Sequence, residues 1–424
     1  MPSDHAIPGL SISDHRLEVP LDWSHPDSGE TLSLFYREVC ASDRVDEELP
    51  LLLFLQGGPG GKSPRPTANG PGWLHEALKH YRVILPDQRG TGRSSRITEA
   101  TMAAFDSDEA GGDYLACFDA HAVVADFEHL RKTRYQGATW TTLGQSYGGF
   151  LTLTYLSYAP QGLSRCYITG GLPALDADPD EVYRRTHRRV ERKLEAYLAR
   201  FPDDRERIDA IADHLLDHDV RLPDGDRLSV RRFQSLGLML GMGDGAEQLH
   251  WLLEEAFTDD TRSALNHHFL VEVMTLTGFD ENPLFGAIHE NIYANPERLC
   301  DWAAERQQGP QFDERHRPLR LTGEMIYPWM FDEIRALKPF RGAVHQLARR
   351  PLASPFYDAR QLAANRVPVA ALIYFDDMYV DAELSLATAE AIPRLRYWIT
   401  NEYEHDGLRQ DPGVFRRLKA MLDD

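Results

Sequence analysis

Short apolar runs separated by helical patterns mark the first 175 residues of the chain. Each run is punctuated by glycine or by a charged turn, as in PLLLFLQ, RVILPDQ, ATWTTLGQ and RCYITG. Strands that are covered on both faces are apolar throughout rather than alternating, and helices between them connect the strands in parallel. The pattern therefore predicts an α/β fold with a mostly parallel sheet.

The N-terminal segment carries a different pattern. RLEVPLDW and TLSLFYREV are rich in β-branched and aromatic residues, and they flank the turn sequence HPDSGE. Two such runs around a Pro/Asp/Gly turn indicate an antiparallel hairpin. We expect this hairpin to precede the parallel strands.

A long helical segment interrupts the strands. From about residue 176 to 350, amphipathic stretches follow one another without a strand, among them DEVYRRTHRRVERKLEAYLARF, ERIDAIADHLLDH, LSVRRFQSLGLML and EQLHWLLEEAF. Strand patterns return in PVAALIYF and RLRYWIT, and Asp411 with Pro412 begins a last helix. We therefore predict a main domain from residues 1–175 and 351–424 and an inserted helical cap domain over 176–350.

Length and charge limit the classes of partner. At 424 residues the chain exceeds the usual size of one hydrophobic core, which agrees with a main domain plus an insertion. Lys and Arg number 46 against 66 Asp and Glu, for a formal net charge of −20. Such a charge repels nucleic acid phosphates and anionic membrane surfaces, so we expect neither as a partner.

The sequence carries no signal for export, membrane insertion or metal binding. No basic region followed by an apolar run begins it, and nowhere do about eighteen apolar residues occur together. Cys40, Cys117, Cys166 and Cys300 are scattered without CxxC spacing. We expect a cytoplasmic protein without a metal or other cofactor, and the pattern predicts no oligomeric state.

A GxSxG motif occupies a strand-to-helix junction. Gly144-Gln145-Ser146-Tyr147-Gly148 follows the strand pattern ATWTTL and precedes the helical run FLTLTYLSY. Small residues around the serine permit the strained turn of a nucleophile elbow, and the helix N-terminus supplies positive potential near a developing oxyanion. Ser146 is thus the predicted nucleophile of an α/β-hydrolase.

A glycine-rich loop follows an earlier strand. The segment QGGPGG, residues 56–61, comes directly after LLLFL. Glycine lets backbone N–H groups approach a substrate closely, so we predict an oxyanion hole from this loop, at Gly57 and Gly58, together with the N–H of Tyr147. A phosphate-binding loop is disfavoured, because the glycine spacing upstream of Gly61-Lys62-Ser63 does not match one.

The segment DQRGTGRS, residues 87–94, follows the strand pattern RVILP. Asp87 and Arg89 are able to tie the strand end to neighbouring loops through charge-assisted hydrogen bonds, while the glycines turn the chain. We predict a structural role for this segment.

A serine nucleophile needs a base to take its proton and an acid to orient the base. In α/β-hydrolases the acid and the histidine follow the serine in that order, on loops after late strands. His405, in NEYEHDG after RLRYWIT, is the single histidine beyond the late strands and is the predicted base. Asp377, after PVAALIYF, is the predicted acid, with Asp376 and Asp381 as alternatives.

These motifs together resemble those of the proline iminopeptidases (prolyl aminopeptidases), serine peptidases with an α/β-hydrolase core and a helical cap. QGGPGG is similar to the family's HGGPG loop, DQRGTGRS to its DQRGxGxS segment, GQSYGG to its GGSWG elbow, and FDDM to its RYDM acid loop. Gln56 in place of histidine and Tyr147 in place of tryptophan are departures. They leave the catalytic prediction in place, because the oxyanion donors are main-chain groups. The longer branch of the family fits best.

The resemblance also nominates residues that bind the substrate. In that family, glutamates of the cap bind the free α-amino group. AIHENIY at 287–293 looks like the family's IENHYF segment and nominates Glu290, while Glu324 in LTGEMIYPW is the second candidate. An ammonium group taken from water requires a charged or multiply hydrogen-bonding partner, which such carboxylates supply.

The resemblance implies a serine exopeptidase that releases an N-terminal residue, preferably proline, through an acyl-enzyme. Its partners would be peptides with a free N-terminus. Acyl chemistry itself requires no free amine, so the same triad without amine-binding carboxylates would cleave esters or amides. An esterase or amidase of the same fold, acting on small molecules, therefore stays open as an alternative.

Overall fold

One mixed sheet runs through the residues that the computed structural model describes, which are 3–176, 178–259 and 261–423. Its strands lie in the order β1-β2-β3-β5-β4-β6-β7-β8-β9. The bounds are β1 (Ser3–Ile7), β2 (Leu10–Pro20), β3 (Thr31–Ala41), β4 (Leu51–Leu55), β5 (Arg82–Pro86), β6 (Trp140–Gln145), β7 (Leu163–Thr169), β8 (Val369–Tyr374) and β9 (Leu395–Thr400).

The N-terminal strands are antiparallel. β2 pairs with β3 along its whole length, from Leu10 opposite Ala41 to Pro20 opposite Thr31, which confirms the predicted hairpin. β1 adds outside β2. The sequence pattern did not predict β1, because its residues include few of the β-branched and aromatic types that favour strands.

From β5 onward neighbouring strands are parallel, as predicted. The inner strands are covered on both faces, and every residue of β8 is buried, whereas the edge strand β9 exposes Arg396, Tyr397 and Ile399. The register places the ends of β6 and β7 side by side, with Gln145 opposite Thr169. Tyr374 of β8 lies opposite Thr400 of β9 in the same way. The loops that follow these strands therefore emerge at one edge of the sheet.

Helices cover both faces of the sheet and fill the segment between β7 and β8. The α-helices are α1 (Gly72–Leu78), α2 (Glu99–Ala103), α3 (Asp108–Ala116), α4 (Ala120–Arg134), α5 (Tyr147–Tyr158), α6 (Pro179–Arg200), α7 (Asp204–Asp217), α8 (Val230–Gln234), α9 (Gly245–Glu254), α10 (His267–Thr277), α11 (Pro283–Ile288), α12 (Ala303–Arg306), α13 (Met330–Glu333), α14 (Arg341–Ala348), α15 (Ala359–Ala363), α16 (Ala382–Ala391), α17 (Gly407–Gln410) and α18 (Pro412–Asp423). No helix in the described ranges is long and apolar enough to cross a membrane.

Two hydrophobic clusters hold these helices on the sheet. On one face, Trp73 of α1 stacks on Phe54 of β4 at 4.4 Å between ring centroids, and Phe415 of α18 joins them. On the other face, Phe127 of α4 and Leu151 of α5 are fully buried. Each such side chain contributes roughly 1.5–3 kcal/mol by leaving water, so the sheet is anchored from both sides.

The segment between β7 and β8 is helical, as predicted. α6 to α14 all lie in it, and its described residues add no strand to the sheet. One stretch differs from the predicted amphipathic helix. The sequence LSVRRFQSLGLML forms the short helix α8, followed by a 3-10 helix over Ser235–Gly241. Gly237 and Gly241 lower its α-helical propensity. The division into domains at 176 and 350 stays a prediction.

The DQRGTGRS segment is held by buried ion pairs, which confirms its predicted structural role. Arg89 Nε donates to Asp126 Oδ2 at 2.8 Å, and both side chains are almost completely buried. The same guanidinium donates to the carbonyls of Pro20, Leu21 and Cys117. Asp87 accepts two hydrogen bonds from Arg65 and one from the Arg93 N–H. These contacts fix the loop that follows β5.

Candidate active site

Ser146 lies at a sharp turn between β6 and α5. Its backbone has φ 56° and ψ −125°, a conformation that a residue with a β-carbon rarely adopts. The turn is held at both ends, because Ser146 N–H donates to the Thr169 carbonyl at 2.9 Å and Gly149 N–H donates to the Ser146 carbonyl at 2.7 Å. This strained strand-to-helix geometry is that of a nucleophile elbow.

Two glycines of the motif are required by close packing. A β-carbon at Gly144 would overlap the Gly148 carbonyl, and one at Gly148 would overlap the Leu55 carbonyl of β4. The backbone of the elbow thus lies directly against the neighbouring strand. The spacing GxSxG is therefore a steric requirement of this turn.

The glycine-rich loop after β4 lies beside the nucleophile. The β-carbon position of Gly57 is 3.0 Å from Ser146 Cβ and 3.0 Å from the Gln145 carbonyl oxygen. Gly58 has φ 128°, which favours glycine. Tyr147 is the first residue of α5, where backbone N–H groups have no acceptor within the helix. The structure thus brings Gly57 and Tyr147 next to Ser146, with Gly58 following Gly57 in the same loop.

His405 and Asp377 are in direct contact. His405 Nδ1 lies 2.7 Å from Asp377 Oδ2, and both side chains are at least 95% buried. The other oxygen of Asp377 accepts the N–H groups of Tyr379 and Val380 at 2.8 and 3.1 Å. Asp377 is therefore oriented by its own loop, and it in turn orients the imidazole.

The two alternative acids have other surroundings. Asp376 is exposed to solvent. Asp381 caps the N-terminus of α16 by accepting the N–H groups of Glu383 and Leu384, and its second oxygen accepts from Arg189 Nε at 3.1 Å. Of the three predicted carboxylates, the one that contacts His405 is Asp377.

His405 adjoins the elbow through the end of β7. The β-carbon position of Gly170 is 3.1 Å from His405 Nδ1, and a β-carbon at Gly171 would overlap the Ser146 carbonyl. The hydrogen bond of the His405 imidazole is to Asp377. The distance between a catalytic base and its nucleophile, here His405 and Ser146, often shortens only when substrate binds. Burial alone would lower the pKa of His405, but the charge and hydrogen bond of Asp377 outweigh it and raise that pKa.

Glu324 lies near this pair, in an irregular loop of the helical segment. Its side chain is 19% exposed, and its Oε2 lies 3.5 Å from His289 Nε2. Tyr379 packs its ring 4.8 Å from the imidazole, and burial followed by the charge of Glu324 raises its pKa; the same charge also acts to raise the pKa of His405. The Glu324 side chain therefore lies within electrostatic reach of the candidate catalytic pair.

Glu290 has a different environment. Its Oε2 accepts the N–H of Trp302 at 2.8 Å and its Oε1 accepts the N–H of Ala304 at 3.0 Å, at the start of α12. Burial raises the pKa of Glu290 to about 7, although both N–H donors act to lower it. Since both oxygens are engaged within the protein, the role of Glu290 in amine binding stays a prediction.

Two residues near Glu324 were not predicted from sequence. His289 and Tyr293 lie four residues apart, a spacing that brings both to one side of a helical turn. Tyr293 packs on Phe150 of α5 with ring centroids 6.0 Å apart. The four-residue spacing of His289 and Tyr293 was the one sequence signal for this pair. Because the same spacing is common in buried helices, it does not by itself indicate a binding site. Among the described residues, no three His, Cys, Asp or Glu side chains are placed to share a metal ion.

Comparisons with known proteins give a match to one family model and to two curated relatives over nearly the whole chain. The model of the alpha/beta hydrolase fold matches residues 50–213. A proline iminopeptidase of Aeromonas sobria is 45% identical over 414 residues, which cover 97% of this chain and 96% of that protein. Proline iminopeptidase aneH of Aspergillus aculeatus is 33% identical over 433 residues, covering 99% and 96%. The crystal structure of a Mycobacterium smegmatis proline iminopeptidase aligns with TM-score 0.44 at 14% identity, covering 96% of this chain and 97% of that chain.

The two sequence relatives decide the assignment. Their matches run through the helical segment as well as the sheet, so the similarity is not confined to the part shared by hydrolases of many activities. The folded chain likewise has the mixed sheet and the helices of that fold. This chain therefore belongs to the proline iminopeptidase family of α/β-hydrolases.

Proposed function

We propose that this protein is a prolyl aminopeptidase with Ser146 as nucleophile, His405 as general base and Asp377 as the orienting acid. The observation that carries the proposal is the buried 2.7 Å contact between His405 and Asp377, at the sheet edge where Ser146 occupies its strained turn. Membership of the proline iminopeptidase family supports peptides with a free N-terminus as substrates.

The proposed reaction has two half-reactions. Ser146 Oγ attacks the carbonyl carbon of the N-terminal residue, and its proton passes to His405 Nε2. The N–H groups of Gly57, Gly58 and Tyr147 supply hydrogen bonds to the resulting oxyanion. His405 then protonates the leaving nitrogen as the peptide bond breaks. Water then attacks the acyl carbon while His405 takes its proton, and His405 gives that proton to Ser146 Oγ as the bond to the serine breaks and the free amino acid leaves.

Glu324 is the proposed partner of the substrate's ammonium group. Its carboxylate is near the catalytic pair and partly exposed, whereas both oxygens of Glu290 already accept backbone N–H groups. An ammonium group that leaves water needs such a partner. A substrate whose amine is blocked cannot form this ion pair, which restricts cleavage to the first peptide bond.

The test compares L-prolyl-β-naphthylamide with its N-acetylated form. Acetylation removes the positive charge and leaves the scissile bond in place. We expect kcat/KM to fall by about 100-fold or more on acetylation, because the Glu324 carboxylate then faces an uncharged group without its ion pair. Similar rates for the two compounds would contradict the proposal and favour the esterase or amidase alternative. Ser146→Ala protein gives the background rate.

A further inference from the structure

His289 is a buried imidazole without a hydrogen bond. The residue follows α11 directly and is 1% exposed, and neither Nδ1 nor Nε2 has a hydrogen-bond partner among the described residues. Buried polar groups are nearly always paired, because an unpaired one has lost its hydration without replacement. A ring left in this state in the ligand-free protein is therefore a candidate to bind a ligand.

The surroundings of His289 place it at the proposed amine site. Its Nε2 lies 3.5 Å from Glu324 Oε2. The rings of Phe285 and Tyr293 pack against it, with centroids 4.9 and 6.2 Å away. The Phe285 N–H in turn lies 3.0 Å from the β-carbon position of Gly60, in the loop that borders Ser146. His289 and Glu324 thus present two polar atoms within largely aromatic surroundings.

We propose that His289 is a specificity-determining residue, which accepts the second hydrogen bond of a secondary ammonium group bound at Glu324. The inference rests on the proposed function, because Glu324 must hold the amine. The protonated nitrogen of an N-terminal proline carries two N–H donors. One nitrogen reaches two acceptors 3.5 Å apart at ordinary hydrogen-bond lengths of about 2.9 Å. His289 accepts through Nε2 when the ring proton is on Nδ1.

The number of N–H donors on the terminal ammonium group then distinguishes an N-terminal proline from other N-terminal residues. A primary ammonium group brings a third N–H donor, which the pair formed by Glu324 Oε2 and His289 Nε2 leaves unmatched. Leaving one donor of a charged group unpaired lowers binding by about 10- to 100-fold. The preference for proline therefore arises from the count of N–H groups as well as from the shape of the pyrrolidine ring.

An acyclic secondary amine isolates this effect. N-methyl-L-alanyl-β-naphthylamide has two N–H donors when protonated but no ring, and L-alanyl-β-naphthylamide has three. We expect the wild-type protein to prefer the N-methyl compound by about 10-fold in kcat/KM. In His289→Phe, which keeps an aromatic ring but no acceptor, the preference should disappear, with the larger loss on the prolyl and N-methyl compounds. An unchanged preference would overturn the inference.

Controls separate this role from a structural one. His289→Gln restores a hydrogen-bond acceptor and should recover part of the preference for the N-methyl compound. If His289→Gln gave the same ratio of kcat/KM values as His289→Phe, that result would count against the inference. His187→Phe changes another buried histidine, whose Nε2 contacts the Ala304 carbonyl at 3.0 Å, and should leave the ratio unchanged. Failure of the proposed function is distinguishable, because the wild-type protein would then cleave acetylated and free prolyl compounds alike.

Discussion

His405 Nδ1 lies 2.7 Å from Asp377 Oδ2, and the second oxygen of that carboxylate is held by two N–H groups of its own loop. The carboxylate is therefore fixed before any substrate arrives. An imidazole so held keeps its proton on Nδ1, which leaves Nε2 as the nitrogen that accepts a proton. Asp376, which is exposed to solvent, and Asp381, which has other partners, serve as comparisons for Asp377.

Asp377→Asn should lower kcat by about 10³- to 10⁴-fold, because an amide at this position favours the wrong imidazole tautomer. Asp376→Asn alters an exposed carboxylate one residue away and should stay within about twofold of the wild-type rate. Steady-state kinetics on L-prolyl-β-naphthylamide measure both, and circular dichroism checks the fold. Equal losses in the two variants would contradict the assignment of the acid.

The pH dependence of serine reactivity should reflect the raised pKa of His405. The base acts when neutral, so reactivity rises with pH through that pKa. We expect the midpoint to lie above the ordinary histidine value of about 6.5, because the charge of Asp377 outweighs burial. The rate of fluorophosphonate labelling at a series of pH values measures it without a titrating substrate amine. A midpoint below the ordinary value would contradict the proposed electrostatics.

Glu324→Gln should separate amine recognition from chemistry. We expect kcat/KM on L-prolyl-β-naphthylamide to fall by about 100-fold, since the ion pair with the substrate is lost, while fluorophosphonate labelling changes by less than about fivefold. Glu195→Gln, an exposed glutamate of α6, is the control and should have no effect. Equal losses in cleavage and labelling would mean that Glu324 acts on the catalytic pair rather than on the amine.

Glu290→Gln should change how stability depends on pH. Burial raises the pKa of Glu290 to about 7 from an ordinary value of 4.5. The stabilisation from this raised pKa is fully present below about pH 4.5 and is lost as pH rises through about 7. Relative to the variant, the wild-type protein should lose on the order of 3 kcal/mol of its free energy of unfolding over that range, at about 1.4 kcal/mol per pKa unit. Urea unfolding at several pH values tests this, and parallel curves would refute it.

Gly148→Ala should disrupt the elbow. A β-carbon there would overlap the Leu55 carbonyl, and backbone cannot move aside as a flexible side chain does. We expect loss of activity together with a destabilisation of about 3 kcal/mol or more. Gly72→Ala is the matched control, because its β-carbon would meet Pro412 at an ordinary 3.4 Å. Thermal unfolding and fluorophosphonate labelling report both effects, and a fully active Gly148→Ala protein would contradict this account of the motif.

The parts predicted correctly from sequence were those with a local signal. Apolar runs punctuated by glycine or a charged turn predicted β4 to β7, the returning strand pattern predicted β8 and β9, and the Pro/Asp/Gly turn predicted the β2–β3 hairpin. The GxSxG motif predicted the conformation at Ser146, because its glycines are required within a few residues of the turn itself.

The parts that sequence did not predict depend on distant contacts. The sequence favoured Asp377 as the acid but left Asp376 and Asp381 open, because the choice depends on the loop after β8, where Asp377 is buried against His405 and Asp376 is exposed. The surroundings of Glu290 depend on Trp302 and on the start of α12, twelve and thirteen residues later in the chain. The approach of His289 to Glu324 joins two parts of the helical segment that are distant in the sequence, and no local pattern in either part predicts it.

The helical segment leaves the sheet after β7 and returns at β8, and these two strands are hydrogen-bonded neighbours. The entropy cost of closing a loop grows only with the logarithm of its length. Residues can therefore be gained, lost or exchanged there while the strand pairing on either side stays the same. Changes in the helical segment can therefore alter which substrates bind while the catalytic residues on the sheet stay in place.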